Sequence, residues 1–457
     1  MLRTSLNRSV QIALVMASLG ATALRAQDTR TVTEPVIPPR CTVLKAQLAS
    51  SDGHFSDADE QKLDTARIQG ALDKCPKGRS VELASDGASN AFLSGPLDLR
   101  AGVTLLVDKG VTLYATRDPR LYETSPNACG LVTSEHSRGC RPFIYAKDAP
   151  DIGIMGDGAI DGRGWAKVLG KDSTWWQLAE AARGGGQQQV PLLIVTDHTD
   201  NLILYRITLK NSANFHLVPH ASNGITLWAI KIDTPKSRNT DGFDPGGGSK
   251  NITMIYSYIR DGDDNIAIKG STGGVTNMTV IHSHFYWGHG MSIGSENYGG
   301  VSNLLVRDLS IDGADNGIRI KSAPDRGGLV QNIQYDDVCI RNNKEPITLT
   351  TNYEGHTGGD RLPVYKNILL HNVRISGGGK ILIDGYDTTH RIGLQLDGVV
   401  AFDGFAQYKP HVSHADLIYG PGPMNLMLAG TDATVAGKPG TGTLQSCDAK
   451  FVPFPTN

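Results

Sequence analysis

A parallel β-helix, an all-β solenoid, is the fold class this sequence predicts, on three observations. Short β-branched runs such as Val103-Thr104-Leu105-Leu106-Val107 and Val111-Thr112-Leu113 are bounded by Gly, Asp or Asn from Phe92 onward. An Asn-led run then recurs, as Asn201-Leu202-Ile203-Leu204, Asn251-Ile252-Thr253-Met254, Asn277-Met278-Thr279-Val280, Asn303-Leu304-Leu305-Val306, Asn332-Ile333-Gln334-Tyr335 and Asn367-Ile368-Leu369-Leu370. From Asn251 the spacing is 26 to 35 residues, which suits a solenoid coil. Third, the chain of 457 residues holds 53 Gly and almost no helical periodicity, so it turns often without the short Gly period of a collagen. No coil can bury its own apolar face; stacking on the next coil supplies the core. Asn at a fixed turn tolerates the left-handed conformation and can ladder up the stack. A propeller, with antiparallel blades of about 40–50 residues, fits worse because two-residue hairpin signals are scarce.

The elements follow in order. Arg3 and Arg8 precede the apolar run from Val10 to Leu24, which is too short to span a bilayer, and Leu24-Arg25-Ala26 offers a cleavage site. Residues 1–26 are therefore expected to be an export signal, with 27–457 forming one β-helix domain and the mature protein secreted. A helix is predicted over Asp59 to Cys75, within a cap at about 57–75: Leu63, Ile68, Ala71, Leu72 and Cys75 share a face and Pro76 stops it. It would cover the open end of the solenoid, whose strand edges otherwise invite aggregation. The tail after Gly437, at about 437–457, is rich in Gly, Thr and Pro and is expected to be loosely ordered.

Export permits disulfides. Cys129 and Cys140 flank a short polar loop and are expected to pair; Cys41 and Cys75 bracket the helix and form the second predicted pair. Cys339, inside the strand-like Tyr335–Ile340, reads as a buried thiol. No close cysteine doublet suggests zinc. The net charge of −2 is too small for a nucleic-acid or anionic-membrane surface. Removing residues 1–26 takes 44 basic residues to 41 against 46 acidic ones, so recognition of any polyanion must be local.

Acidic residues gather on consecutive coils. Asn239-Thr240-Asp241-Gly242 is followed by Asp261-Gly262-Asp263-Asp264-Asn265, then Gly288-His289-Gly290, Arg319-Ile320-Lys321 and Tyr353. Equivalent positions on stacked coils lie about 4.8 Å apart, so one column is expected to read Asp, Asp-Asp, His, Arg/Lys, Tyr. Two carboxyl roles suit glycoside hydrolysis: one acid protonates the leaving oxygen and an ionised partner activates water or attacks. Crowding of like charges is expected to keep one member protonated. Gly262, Gly288 and Gly290 are read as allowing a substrate chain to approach the backbone. Arg319 and Lys321 alternate with Ile320 and so share a strand face, where they could grip a carboxylate. A uronic acid polymer carries one on every sugar. Each residue also has a bland reading: Asp241 a turn cap, Asp263 and Asp264 a solvated turn, His289 a structural imidazole, Arg319 and Lys321 a surface pair, Tyr353 a packed ring. Trp175-Trp176 and Asp161 are read as structural.

The stretches Asn239–Pro245, Gly262–Lys269, Gly288–Glu296 and Arg319–Ser322, with Gly158–Gly164 upstream, resemble the polygalacturonases of glycoside hydrolase family 28, and among them secreted bacterial endopolygalacturonases. The resemblance runs from about Val32 to about Asp397. It implies a right-handed parallel β-helix that cleaves the α-1,4 bonds of polygalacturonate, with inversion and with no metal or cofactor. Asp263 would be the general acid, Asp241 and Asp264 would activate water, and His289 would tune the acid or place substrate. Arg319, Lys321 and Tyr353 would bind galacturonate, with Asn239 and Lys269 as further contacts. One-coil stacking puts Asp241 and Asp263 nearer about 5 Å, a gap that by itself leans towards retention; the resemblance implies inversion. The expected partner is the polysaccharide alone, with no nucleic acid or membrane, acted on by a monomer. Exo action, a rhamnogalacturonan or xylogalacturonan hydrolase, a pectate lyase and a non-catalytic sugar-binding adhesin are the alternatives. The lyase would use Ca²⁺ and an Arg base, and the adhesin would need no convergent carboxylates.

Overall fold

The computed structural model describes residues 27–134, 138–356 and 358–456; the expected export signal lies outside them. The strands wind as a right-handed parallel β-helix with three sheets running along one axis. In the first sheet Val81, Leu105, Ile154, Leu204, Leu227, Met254, Val280, Val306, Tyr335, Leu370 and Leu396 stand in one register column. The second sheet has a matching column from Phe92 through Leu113, Ile160 and Leu209 to Phe285, Ile311 and Ile375. All of these side chains are fully buried. The period of two along each strand sends them inward, and the parallel ladder repeats them coil after coil. One continuous apolar core results, from Ala46 to Leu428.

The asparagine reading holds at every predicted position. Asn201, Asn251, Asn277, Asn303, Asn332 and Asn367 all have φ between 52° and 61°. Their side chains form a ladder: Asn251 donates to Asn223, Asn277 to Asn251, Asn303 to Asn277, Asn332 to Asn303 and Asn367 to Asn332, at 2.8–3.2 Å. Asn201 instead donates to Asp151.

Three expectations need correction. The capping helix spans Thr65–Lys74, preceded by a separate 3₁₀ turn at Asp59–Gln61. The Asp64 amide bonds the Leu93 carbonyl at 2.8 Å, so the sheet takes the backbone group a longer helix would use. Ile68 and Leu72 plug the core, while Leu63 joins a smaller cluster with Leu48 and Tyr114. Cys41–Cys75 and Cys129–Cys140 are bonded as expected, but Cys339 is no free thiol: it bonds Cys447, 108 residues away. Val338 and Ile340 point into the core, so Cys339 faces outward, where the tail covers it. The tail is accordingly not loose. Lys450 sits between Asp308 and Asp337, and Arg341 and Arg260 lie over the rings of Phe451 and Phe454 at 4.1 and 4.0 Å.

Candidate active site

The third sheet carries the site. Leu97, Ile144, Ile194 and Leu217 stack regularly, and so do Ile266, Met291, Ile318 and Ile347. Between the two runs a single residue, Phe243, bridges Leu217 and Ile266. The chain around it spends its residues on turns. Gly242 N–H bonds the Asp264 carbonyl, His289 N–H bonds that of Asp263, and Asp315 N–H bonds that of Gly288, at 2.6–2.9 Å. These bonds set the acidic turns one above the other. Arg319 and Lys321 come from the strand behind, with Arg319 in register with Ser292 and Thr348. The expected single column is therefore two: acids on the turns, cations on the strand. The glycines also act differently from expectation. A Cβ on Gly290, at φ +68°, would lie 2.2 Å from the Asn316 carbonyl, so the neighbouring coil fills the approach that was assigned to substrate.

Asp264 is the centre of the cluster and is buried. It accepts from Ser292 Oγ at 2.8 Å, Arg319 Nη1 at 3.2 Å and Lys321 Nζ at 2.7 Å. Burial opposes its ionisation, but the charges of Lys321, Arg319 and Lys269 outweigh it and hold the carboxyl below its ordinary range. Arg319 and Lys321 lie 5.3 and 5.1 Å from the Tyr353 ring centre, which packs over both. Arg319 Nε is buried with no protein partner, a donor left over for a ligand.

Asp263 is more open, at 22% side-chain exposure, and its Oδ1 lies 3.0 Å from His289 Nδ1. It accepts from the Asp264 and Asn239 amides. Burial pushes its pKa up most, but the His289 hydrogen bond and the charges of His289 and Lys321 together outweigh it and leave it below the usual value. Burial, with crowding second, thus raises the pKa of other members of the cluster than Asp263. Asp241 is buried and lifted well above normal, by desolvation first and then by Asp244 and Asp263. Asp261 is lifted likewise by burial.

Two residues escaped the sequence reading. Asp244, three residues after Asp241, is 1% exposed, and neither of its oxygens has a protein partner. Burial pushes its pKa up to about 8, against the pull of Lys269. Its spacing from Asp241 was a visible signal, but Asp-Pro also reads as a turn. His216 stands behind Asp241: its N–H and Nδ1 both contact the Asp241 carbonyl, at 2.8 and 2.9 Å, and Nε2 lies 2.7 Å from Thr234 Oγ1. Burial lowers its pKa to about 4, so the ring is neutral, with Nδ1 donating to the carbonyl. A lone His just ahead of the apolar strand Leu217–His220 gives no such signal.

Lys269 faces Asp244 and Asp241, which with Glu296, 3.8 Å away, keep it charged despite burial. Asn239 reaches the cluster through its backbone, and its side of the chain lines a neighbouring cleft with Gln188 and Phe215. Asp161 and Trp175 are buried, and Trp176 donates to the Ser212 carbonyl, in keeping with structural roles. Asp263, Asp264 and His289 bring three ligand atoms within 4.8 Å of one another. Lys321 and Arg319 already neutralise Asp264, which works against a cation there.

The profile of Glycosyl hydrolases family 28 matches residues 88–409. A polygalacturonase of Ralstonia solanacearum is 37% identical over 98% of this chain and 98% of its own. An endo-polygalacturonase of Pectobacterium parmentieri is 39% identical over 86% of this chain and 94% of its own. The solved polygalacturonase of Erwinia carotovora ssp. carotovora superposes with a TM-score of 0.79 at 38% identity, covering 85% of this chain and 99% of that one. Shared coils, shared length and a carboxylate cluster on the third sheet lead to one conclusion: this chain belongs to glycosyl hydrolases family 28 and is a glycosidase.

Proposed function

We propose that the protein is a secreted, monomeric endo-polygalacturonase that hydrolyses α-1,4-galacturonosyl bonds with inversion. The observation that carries the substrate class is the cationic wall of Arg319 and Lys321 under Tyr353, with Arg319 Nε buried and unpaired beside the carboxylates. A galacturonate carboxylate would satisfy that donor in a bidentate grip. Asp263, the more exposed acid, protonates the glycosidic oxygen as the bond to the anomeric carbon breaks. Water attacks that carbon from the other side and gives its proton to Asp264, which its cations keep ionised. Asp241, whose pKa burial and the neighbouring carboxylates raise, is suited to orient the water by hydrogen bonding. Asp263 enters the cycle ionised; the arriving polyanion adds negative charge and excludes water, both of which raise its pKa and load its proton. Export rests on residues 1–26.

Digestion of polygalacturonate tests this directly. Viscosity is expected to fall well before reducing ends accumulate, and the first-formed product is expected to be the β-anomer by proton NMR. Unsaturated products absorbing near about 235 nm would point to elimination instead, for which the paired acid and water-activating roles have no use. An initial α-anomer would overturn inversion.

A further inference from the structure

The cleft does not end at Asp263. Beyond it lies a lobe of about 380 Å³ lined by Glu180, Arg183, Lys236, Arg238, Asp261 and Asp315, and shared with Asp263 and His289. Arg319, Lys321 and Tyr353 do not line it. Its size falls in the ordinary range for a ligand site, about 300–1,000 Å³.

The charges in the lobe are unevenly matched. Glu180 is taken by Arg183 at 2.8 Å, and Asp315 by Lys344 at 2.9 Å. Asp261 is buried, and its Oδ1 accepts from Asn265 Nδ2 and the Asp263 amide, at 3.2 and 3.3 Å. Lys236 and Arg238, by contrast, form no ion pair or hydrogen bond among the described residues, and Arg238 Nε is buried without a partner. A desolvated guanidinium nitrogen with nothing to donate to is costly unless a ligand completes it.

The segment that carries these cations is fixed against the catalytic turn. A Cβ on Gly262 would lie 1.9 Å from the Ser237 carbonyl, so the two backbones touch. Thr240 Oγ1 donates to the Ser237 carbonyl at 2.7 Å and accepts from Gly262 N–H at 2.9 Å. Trp287 Nε1 holds the Thr234 carbonyl at 3.1 Å. Lys236 and Arg238 are thereby held in place relative to Asp263, which a site for a repeating anion requires.

We propose that Lys236 and Arg238 form a second carboxylate-binding subsite, on the other side of Asp263 from Arg319 and Lys321. The subsite rests on the polygalacturonase reading and deepens it. Uronates would then be gripped on both sides of the scissile bond, and cleavage inside a chain follows from that.

The test is the double variant Lys236→Gln/Arg238→Gln in the full-length mature enzyme. KM for polygalacturonate is expected to rise roughly tenfold with kcat nearly unchanged, since the groups bind and do not react. On hexagalacturonate labelled at the reducing end, cleavage is expected to spread from the parent's main bond to its neighbours. Partial unfolding lowers every rate alike and cannot move the cleaved bond, so the pattern separates binding from damage. The charge-keeping swap Lys236→Arg/Arg238→Lys is expected to restore the parent pattern. An active parent whose double variant keeps both KM and pattern would overturn the subsite alone. A parent inert on polygalacturonate would sink the activity reading and the subsite with it.

Discussion

The asparagine ladder and the acidic turns of the candidate site are both stacks of polar groups repeated by the same coil geometry, and they are completed in opposite ways. In the ladder each Asn from Asn251 to Asn367 donates to the one on the coil before, and its left-handed backbone suits the residue. In the site, both oxygens of Asp244, one of Asp261 and Nε of Arg319 are buried without partners. A buried polar group left unpaired costs about 1–3 kcal/mol. The ladder therefore stabilises the solenoid, while the site holds destabilising groups that the surrounding core offsets. Stacking alone decides neither outcome; what matters is whether the next coil supplies the complement.

Substitutions in the two stacks can break or sharpen that contrast. The largest effect is expected at Asp263→Asn. Loss of a positioned acid costs about 10²–10⁴ in rate, so turnover on polygalacturonate should collapse while binding of oligogalacturonate, measured by calorimetry, persists. Normal turnover would remove Asp263 from the acid role.

Asp244→Asn should act next, on stability. The Asp244 pKa is raised in the fold to about 8, so its stabilising contribution is full below the unfolded value near 4 and is lost as pH rises through about 8. The Asn variant cannot ionise. Its thermal midpoint should match the parent's at about pH 4 and lie above it at pH 8, where the parent's buried carboxyl is forced to ionise. Parallel pH profiles for the two proteins would show that Asp244 is not strained by burial.

Asn303→Ala should have the smallest effect. It loses the left-handed preference and leaves its ladder neighbours unpaired, a cost of about 1–2 kcal/mol with kinetics unchanged. Denaturant titration measures it, and an unaltered midpoint would mean the ladder is ornamental.

Much of this was legible in the sequence, for reasons that differ by residue. The Asn positions could be read because a residue type, a backbone conformation and a coil length all coincide there. The acidic cluster could be read because its four stretches fall one coil apart and in order. The Cys339–Cys447 bond was not legible, since its partners meet only when the tail folds back across 108 residues. The outward face of Cys339 between Val338 and Ile340 was the available hint. The proton distribution could not be read either. It depends on His289 arriving 3.0 Å from Asp263 and on two cations closing on Asp264, distances no spacing rule supplies. Lys236 and Arg238 carry no signal in the sequence, because what fixes their segment is the contact of Gly262 with the Ser237 carbonyl.

The bond between Cys339 and Cys447 also changes how the molecule can come apart. Coils in a solenoid touch only their neighbours, so an end can peel one turn at a time. Here the final turns, including the strands Val364–Ser376 and Ile392–Ala401, are enclosed in a covalent ring with Cys339 at its root. Fraying that begins at the far end must therefore loosen that whole ring before it can travel inward, and the acidic turns with Arg319 and Lys321 lie on its sheltered side.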